Sequence, residues 1–503
     1  MALTPGGSLN SVPASQKQAL TSNYFDFTAT AGQGWAQQYL PDLMEKEAEV
    51  FGPRTISGFL SQVGAEEPMS ADQVVWSEQS RLHLSYKGHV HHASTGGGQI
   101  DILADIDGNT DMGTNHGIRL NDTVLVANSE GVVKCMVTDV TSTAGRITVA
   151  PYEYASISAA GLTTTHSDTS TGTTILVYGS EYVKGVGYNQ SGATTVESRG
   201  ANEPTFKSFT NKPIIMKDYY EVSGSDTARI GWVEVAGEMG QSGYLWYLKA
   251  EADTRARFTD YLEMAMLEGV KTSDASTGVE TVIDTFMYGS DTGDTQGTQG
   301  LFDAIETRGN STSGVTGVNA ATDLAEFDAI LAEFDSQGAI EENMMFVNRS
   351  TSLAIDDMLA SMNSYGAGGT SYGVFNNSED MALNLGFSGF RRGSYDFYKS
   401  DFRYLNDKAT RGGINSAYST SAIRGVIIPA GTSTVYDQML GKNLKRPFLH
   451  VRYRASQTDD RKMKTWVTGS VGAATSALDA MQIHMLSERC LVTQGANNFM
   501  LMN

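Results

Sequence analysis

Apolar and polar residues alternate along much of the chain in short runs, separated by clusters of glycine, threonine and aspartate. The runs are densest between residues 100 and 184, in segments such as VLVANSEGVVKCMVTDV and TTILVYGSEYV. An apolar side chain at every second position is the pattern of a strand with one buried face. Residues 100–184 are therefore predicted to form a compact all-β module, and the same alternation across 74–86 predicts an exposed two-stranded ribbon before it.

One long helical pattern follows this β-rich part. Between residues 243 and 269, apolar side chains such as Phe258 and Leu262 recur at three- and four-residue steps, which predicts an amphipathic helix about 40 Å long. Ser242 is a suitable N-cap, and Gly269 lies near the predicted end. A single helix of this length among strands and loops is predicted to span a domain as a rigid element.

The C-terminal half mixes helical and strand periods. From about residue 300 to 430, a helix (DLAEFDAILAEFDSQG), a buried strand (MMFVN) and a second helix (STSLAIDDMLASMN) predict a separate α/β domain. Further strand patterns are GVIIPAG, FLHVRYRAS, MKTWVTGSVGA and ALDAMQIHML. The whole pattern predicts an α+β protein.

Composition is in keeping with several domains. The length of 503 residues favours two to four of them, and 53 glycines against 10 prolines favour tight turns and strands. The N-terminus (MALTPGGSLNSVPASQKQ) lacks the apolar centre of a signal peptide and predicts a flexible arm, and no apolar run is long enough to span a membrane. Only two cysteines are present, Cys135 and Cys490, which favours assembly in a reducing cytoplasm.

The formal charge of −21 argues against a protein that grips the nucleic-acid backbone, although it suits one that encloses DNA. The charge is uneven. Residues 271–342 hold 14 acidic and two basic side chains, whereas residues 441–466 hold eight basic and two acidic ones. Two interpretations stay open: separate solvated faces, or complementary surfaces that meet between copies of the chain.

Four of the eight histidines (His83, His89, His91 and His92) fall within ten residues. His89 and His91 would share a strand face, as metal ligands can. No cysteine or nearby carboxylate pattern completes a four-ligand site, and the glycine run Gly96–Gly98 suits a moving loop. The prediction is therefore packing or hydrogen bonding without a metal, and a pH-sensitive contact is a hypothesis.

A weak calcium candidate lies in DILADIDGNTDMG, where oxygen-bearing side chains alternate at Asp105, Asp107, Asn109 and Asp111. Thr110 and His116 stand where an EF-hand has its turn glycine and its bidentate glutamate. An Asx-rich hairpin turn explains the same residues without an ion.

Catalytic patterns are weak throughout. The sequence contains no G-x-S-x-G elbow, and the Gly441–Lys442 pair lacks the other residues of a phosphate-binding loop. The adjacent carboxylates Asp356 and Asp357 fit a solvated helix face. No enzyme and no cofactor are predicted.

The order of parts is more informative than any motif: an arm, a ribbon interrupted by a β module, a long helix, an α/β domain and returning strands. This order resembles the major capsid protein of tailed phages with the Hong Kong-type capsid fold. The segment Leu40–His83 (LPDLMEKEAEVFGPRTISGFLSQVGAEEPMSADQVVWSEQSRLH) looks like the capsid proteins of crAss-like phages and some marine relatives.

The resemblance implies a division of the chain into the parts of that fold. They would be an N-terminal arm (1–50), an extended loop (51–99 and 185–205), an inserted β domain (100–184), a peripheral domain (206–300 and 431–503) with its spine helix (243–269), and an axial domain (301–430).

The resemblance also implies self-assembly into hexamers and pentamers of an icosahedral shell that encloses double-stranded DNA without sequence-specific binding. Portal, scaffolding and decoration proteins would be further partners, with no membrane. The location would be the virion capsid, assembled in the host bacterial cytoplasm. The alternatives are a secreted or virion-borne β-rich carbohydrate-active or receptor-binding protein and, with the same fold, a bacterial nanocompartment shell.

Overall fold

A computed structural model describes residues 65–503 except for 80, 109, 111–115, 142–144, 163–171, 185–189, 192–193, 196–205, 226–234, 237–241, 244, 273–278, 291–295, 339, 363–388, 418–421, 431, 438–441 and 471–475. The predicted arm at 1–50, most of 40–83 and most of 185–205 lie outside the described residues. The chain divides into two compact units. Residues 77–208 are called the insert unit, and the described part of 1–76 together with 209–503 is called the main unit.

Both strands and helices are present, so the described chain is of a mixed α and β class. The strands of the first half are β1 (Ala65–Met69), β2 (Val74–Gln79), β3 (Ser85–His92), β4 (Gln99–Asp105), β5 (Asp122–Asn128), β6 (Gly131–Thr141), β7 (Arg146–Pro151), β8 (Thr173–Ser180), β9 (Gln190–Ser191), β10 (Thr194–Thr195), β11 (Phe206–Asn211), β12 (Ile214–Ser223), β13 (Val235–Ala236) and β14 (Ser242–Gly243). Those of the second half are β15 (Asn310–Thr312), β16 (Glu342–Val347), β17 (Gly389–Arg392), β18 (Tyr395–Asp401), β19 (Gly425–Pro429), β20 (Thr432–Asp437), β21 (Lys442–Pro447), β22 (Leu449–Arg454), β23 (Lys464–Gly469), β24 (Ala480–Thr493) and β25 (Met500–Met502).

The α-helices of the described residues all belong to the main unit. They are α1 (Leu245–Glu268), α2 (Val279–Tyr288), α3 (Leu301–Arg308), α4 (Ala320–Gln337), α5 (Arg349–Met362), α6 (Arg403–Asn406) and α7 (Arg411–Ala417). Among the described residues, no helix combines the length and the apolar character that a membrane crossing needs.

The insert unit contains a closed β-barrel with the strand order β3–β4–β7–β6–β5–β8. Its strands alternate as predicted: Ile100, Ile102 and Ala104 of β4 point inward and are fully buried, while the residues between them are partly exposed. The barrel begins earlier than residue 100, however, because β3 is one of its strands. The segment that carries His89, His91 and His92 is therefore part of the barrel wall.

The glycine run between β3 and β4 is a packed turn, so its interpretation as a moving loop is wrong. A Cβ atom at Gly97 would lie 2.5 Å from the carbonyl oxygen of Val149. The Val149 amide donates to the Gly98 carbonyl at 2.8 Å, and the Ile157 amide donates to the Gly97 carbonyl at 2.7 Å. Glycine is needed because the backbone of β7 approaches this closely.

The first strand of the predicted ribbon pairs with a different strand from the expected one. Strand β2 pairs with β11, whereas 82–86 was expected to be its neighbour. Alternation marks a strand but does not identify its partner, which here lies more than a hundred residues downstream. Within the main unit, the Arg308 guanidinium lies 4.4 Å from the ring centre of Phe209 and 5.5 Å from that of Trp76, which are themselves neighbours.

The main unit contains a five-stranded sheet in the order β1–β22–β24–β12, with β23 also paired to β24. Helix α1 packs on it: Phe258 and Leu262 are buried beside Met485 of β24, and Arg257 pairs with Asp218 of β12 at 3.5 Å. The predicted helix is confirmed, and Gly269 directly follows its last residue. It begins at Leu245, however, and Ser242 lies in the short strand β14, so Ser242 is not its N-cap.

A six-stranded sheet, in the order β15–β25–β19–β16–β18–β17, forms the second core of the main unit. Helices α4 and α5 cover it through apolar residues such as Phe327 and Ile355. The amphipathic helix, the buried strand β16 and the second helix are confirmed. The Asn319 side chain caps α4 by accepting from the amides of Ala321 and Thr322.

Two strands pair with segments that are distant from them in the sequence. Strand β1, predicted in the extended loop, pairs in parallel with β22 in the five-stranded sheet. Strand β25, predicted in the peripheral part, pairs with β15 and β19 in the six-stranded sheet. Both are short, and their partners are distant in sequence, so no local pattern identifies them.

Candidate functional site

Histidines of β3 meet a carboxylate of β4 on the barrel wall. His89 stands directly opposite Asp101 in the antiparallel pair. The Nε2 atom of His89 lies 3.6 Å from Oδ2 of Asp101, and Nδ1 of His91 lies 3.3 Å from the same oxygen. Only 1% of the His89 side chain is exposed, against 27% for His91. Two imidazoles thus converge on one carboxylate oxygen.

Arg146 of β7 holds that carboxylate from the other side. Asp101 and Arg146 are opposite one another in the β4–β7 pair. The Arg146 Nε donates to Oδ1 at 2.5 Å, and Nη2 donates to Oδ2 at 2.9 Å. Burial alone would raise the pKa of Asp101, but the hydrogen bonds and charge of Arg146 outweigh it and hold the pKa below its usual value. The carboxylate is therefore ionised at neutral pH.

The expectation that no carboxylate accompanies the histidines is wrong. Asp101 lies ten residues beyond His91, and the turn at Gly96–Gly98 brings it back across the hairpin. The alternation of apolar and polar residues on both sides of this turn was the sequence signal for the pairing of β3 with β4. Of the other histidines in the segment, His92 packs its ring at 4.3 Å from that of His91, while His83 is exposed ahead of β3.

The described part of the calcium candidate is engaged in other contacts. Asp105 is the last residue of β4, and Asp107 lies in the turn that follows. The Arg81 guanidinium binds both oxygens of the Asp107 carboxylate at 2.7–3.1 Å. Asn109 and Asp111 lie outside the described residues. An arginine thus takes the oxygens of Asp107 that a calcium ion would need.

His116 is a buried, neutral histidine in the same unit. Its ring packs edge-on against Tyr86 with the ring centres 6.2 Å apart. Burial, reinforced by the nearby Arg119 charge, lowers the pKa of His116 to about 4. In the unfolded chain its pKa is about 6.5, so the unfolded state takes up a proton first as the pH falls. Stability is therefore lost between pH 6.5 and 4.

We expect His116→Phe to flatten this pH dependence. Lowering the pH from 7 to 5 should cost the native barrel about 2 kcal/mol through His116 alone, and the ring-preserving variant should lack that component. The free energy of unfolding of the insert unit, measured by urea denaturation at both pH values, checks this. His83→Phe is the control, and an equal loss in His116→Phe and the native chain would contradict the assignment.

The two thiols and one predicted surface carboxylate are buried. Burial raises the pKa of both Cys135 and Cys490 to about 12, which keeps the thiols protonated and unreactive.

Asp356, expected to be solvated, is instead buried in α5 and pairs with Lys399 of β18, although Asp357 is exposed. Helical periodicity could not reveal the lysine on the neighbouring strand.

Five basic residues of the 441–466 stretch form ion pairs within the chain. Their ion pairs are Arg452–Glu67 (2.7 Å), Arg454–Glu488 (2.9 Å), Arg461–Glu488 (2.8 Å), Lys464–Asp459 (2.8 Å) and Lys462–Glu66. The acidic partners belong to β1, to β24 and to the stretch itself. These five ion pairs favour the interpretation of separate faces for this part of the stretch.

Helix α2 presents apolar side chains to solvent. Phe286 is 90% exposed, and Val282, Met287 and Tyr288 are each exposed by 60% or more. Val282 and Phe286 are four residues apart and therefore lie on one face of the helix. Clustered apolar exposure of this kind is typical of a surface that contacts another protein.

Comparisons with known proteins give structural similarities only. No protein-family model matches the chain, and no curated protein matches it. A chain from Microbacterium phage Oxtober96 is 10% identical, with a TM-score of 0.36 over 95% of this chain and 99% of that one. A chain of the capsid of an empty GTA particle is 11% identical, with a TM-score of 0.35 over 95% and 98%.

A chain of the mature capsid of bacteriophage PhiM1 is also similar, at 8% identity and a TM-score of 0.31 over 62% of this chain and 77% of that one. Phage and capsid chains thus recur among the solved structures that this chain resembles.

Proposed function

We propose that this chain is the major capsid protein of a tailed double-stranded DNA phage. The observation that carries the proposal is the plan of the main unit. A 24-residue helix packs on a five-stranded sheet whose strands come from residues 65–69, 214–223 and 449–493. A second α/β core follows the helix, and a complete barrel is inserted between β2 and β11. This is the order of parts that the resemblance to Hong Kong-type capsid proteins implies.

Within this proposal each part has a structural role. Helix α1 would be the spine helix of the peripheral domain, and the six-stranded sheet with α4 and α5 would form the axial domain. The ribbon of β2 and β11 would be the base of the extended loop, with the barrel as its inserted domain. Residues 1–50 would be the arm that reaches neighbouring subunits.

The function would be self-association into hexamers and pentamers of an icosahedral shell. A shell is stabilised by many weak contacts that act together, so no single contact needs to be strong. The exposed apolar face of α2 is our candidate for one of these contacts. The charge of −21 suits a container whose wall does not adhere to the DNA inside it.

The partners would be further copies of the chain, with portal, scaffolding and decoration proteins in the complete particle. The location would be the virion, after assembly in the cytoplasm of the host bacterium. The chain would act as a structural protein and not as an enzyme.

Expression of the chain in bacteria, followed by sedimentation and negative-stain electron microscopy, tests the proposal. We expect shells, sheets or hexameric and pentameric rings whose amount rises steeply with protein concentration. A chain that stays monomeric or trimeric at every concentration would contradict the proposal and favour a carbohydrate- or receptor-binding protein.

A further inference from the structure

We propose that the barrel binds a divalent transition metal of the zinc class through His89, His91 and Asp101. The ligand atoms are Nε2 of His89, Nδ1 of His91 and Oδ2 of Asp101. One ligand atom from each of the three residues can be chosen so that all lie within 4.8 Å of one another. All of its residues lie in the insert unit.

The spacing of the donors matches the requirement of a tetrahedral ion. Zinc bonds to nitrogen and oxygen are about 2.0–2.1 Å long, so neighbouring donors around a tetrahedral zinc lie about 3.3 Å apart. The two donor separations to Asp101 are 3.3 Å and 3.6 Å. Two of the three donor separations are therefore close to those around a tetrahedral zinc, and the two imidazoles offer nitrogen atoms within 4.8 Å of each other.

The donor chemistry selects the class of metal. Two imidazoles and one carboxylate suit zinc, cobalt and nickel, whereas calcium and magnesium prefer oxygen donors alone. Three protein ligands leave a fourth position, and the partly exposed His91 marks the solvent side of the site. Water can complete the tetrahedron.

The barrel also supplies the groups that orient these ligands. His89 is held by burial, and its position opposite Asp101 is fixed by the pairing of β3 with β4. Arg146 donates to both oxygens of the Asp101 carboxylate, and Oδ2 is also the oxygen that lies near the two imidazoles. Outer contacts of this kind orient the ligands of many metal sites. The positive charge of Arg146 also weakens binding, so we expect a lower affinity than that of a closed four-ligand zinc site.

The competing interpretation is an ion-pair network without a metal, in which Asp101 accepts only from Arg146 and from protonated histidines. The two interpretations differ in a measurable way. A metal site binds one Zn²⁺ per chain at pH 7.5, whereas a network of ion pairs without a metal binds none.

Isothermal titration of the full-length, metal-stripped chain with Zn²⁺ is the first test, and Mg²⁺ is the control ion. We expect one saturable Zn²⁺ site per chain, a zinc-dependent rise in the melting temperature of the insert unit, and no effect of Mg²⁺. His91→Gln and Asp101→Asn should each weaken zinc binding at least about tenfold, since each removes one of three ligands. His83→Gln removes an exposed histidine of the same segment and should bind zinc as the native chain does.

Cobalt provides a readout on the native chain that does not depend on whether a variant folds. Tetrahedral Co²⁺ absorbs visible light strongly, and Zn²⁺ should abolish this absorption by displacing the Co²⁺. The absence of saturable zinc binding to the native chain would overturn the inference. So would unchanged zinc binding in folded His91→Gln and Asp101→Asn, because the metal would then be bound elsewhere.

Discussion

Replacing Phe286 by aspartate is expected to abolish particle assembly while the chain still folds. The Phe286 ring is 90% exposed, so folding gains little from it, and a surface substitution there should change stability by less than about 0.5 kcal/mol. In an assembled shell the same ring would be buried against another copy. A charge placed in that contact would lose the apolar burial and would itself be desolvated.

The fraction of chain in particles, measured by sedimentation velocity, should fall at least about tenfold, because a loss of 1.4 kcal/mol per contact already has this effect. Phe286→Leu is the matched control. It keeps an apolar side chain at the same exposed position of α2 and should assemble almost normally. If Phe286→Asp forms particles as the native chain does, α2 is not an assembly contact.

Lys399→Met is expected to lower the free energy of unfolding of the main unit by about 3–5 kcal/mol. The Lys399 ammonium contacts the Asp356 carboxylate and donates to the Ser352 carbonyl at 3.1 Å. Both side chains of the ion pair are at least 90% buried. Removal of the lysine leaves a buried carboxylate without this cation, and the cost of its desolvation is then no longer offset.

The double variant Lys399→Met with Asp356→Leu should recover most of this loss, because replacing both partners leaves no buried charge. Lys464→Met makes the same substitution in an exposed pair with Asp459 and should cost less than about 1 kcal/mol. Urea denaturation of the four proteins measures all of these differences. Equal losses of unfolding free energy in Lys399→Met and Lys464→Met would contradict the prediction, because burial would then not increase the cost of breaking the ion pair.

Elements with long periodic patterns were the most predictable part of the fold. The apolar steps around Phe258 and Leu262 identified α1, those around Phe327 identified α4, and period two identified most of the barrel. In each case the sequence signal spans only a few residues. The apolar residues of the buried face recur at the period of the helix or of the strand. Boundaries were less accurate, since α1 begins at Leu245 and the barrel begins at Ser85.

Partners that meet from distant parts of the chain were not predictable. Strands β1 and β25 join sheets whose other strands lie far away in sequence, and nothing in their short patterns identifies those sheets. The histidine cluster shows the same limit, since His89 was recognised but Asp101 and Arg146 were not. Lys399 likewise explains why Asp356 is buried, and it lies 43 residues downstream. Pairing between strands decides which polar groups meet, and only the fold supplies it.

The topology of the two sheets sets an order of folding during synthesis. All six barrel strands lie between residues 85 and 180, so the barrel can be complete while the ribosome is still translating the rest. The main unit cannot, because β24 is the strand to which β12, β22 and β23 are paired, and β25 stands inside the other sheet. Each of these two strands follows in the chain all of the strands with which it pairs. A nascent chain therefore carries a finished barrel while its main unit is still incomplete.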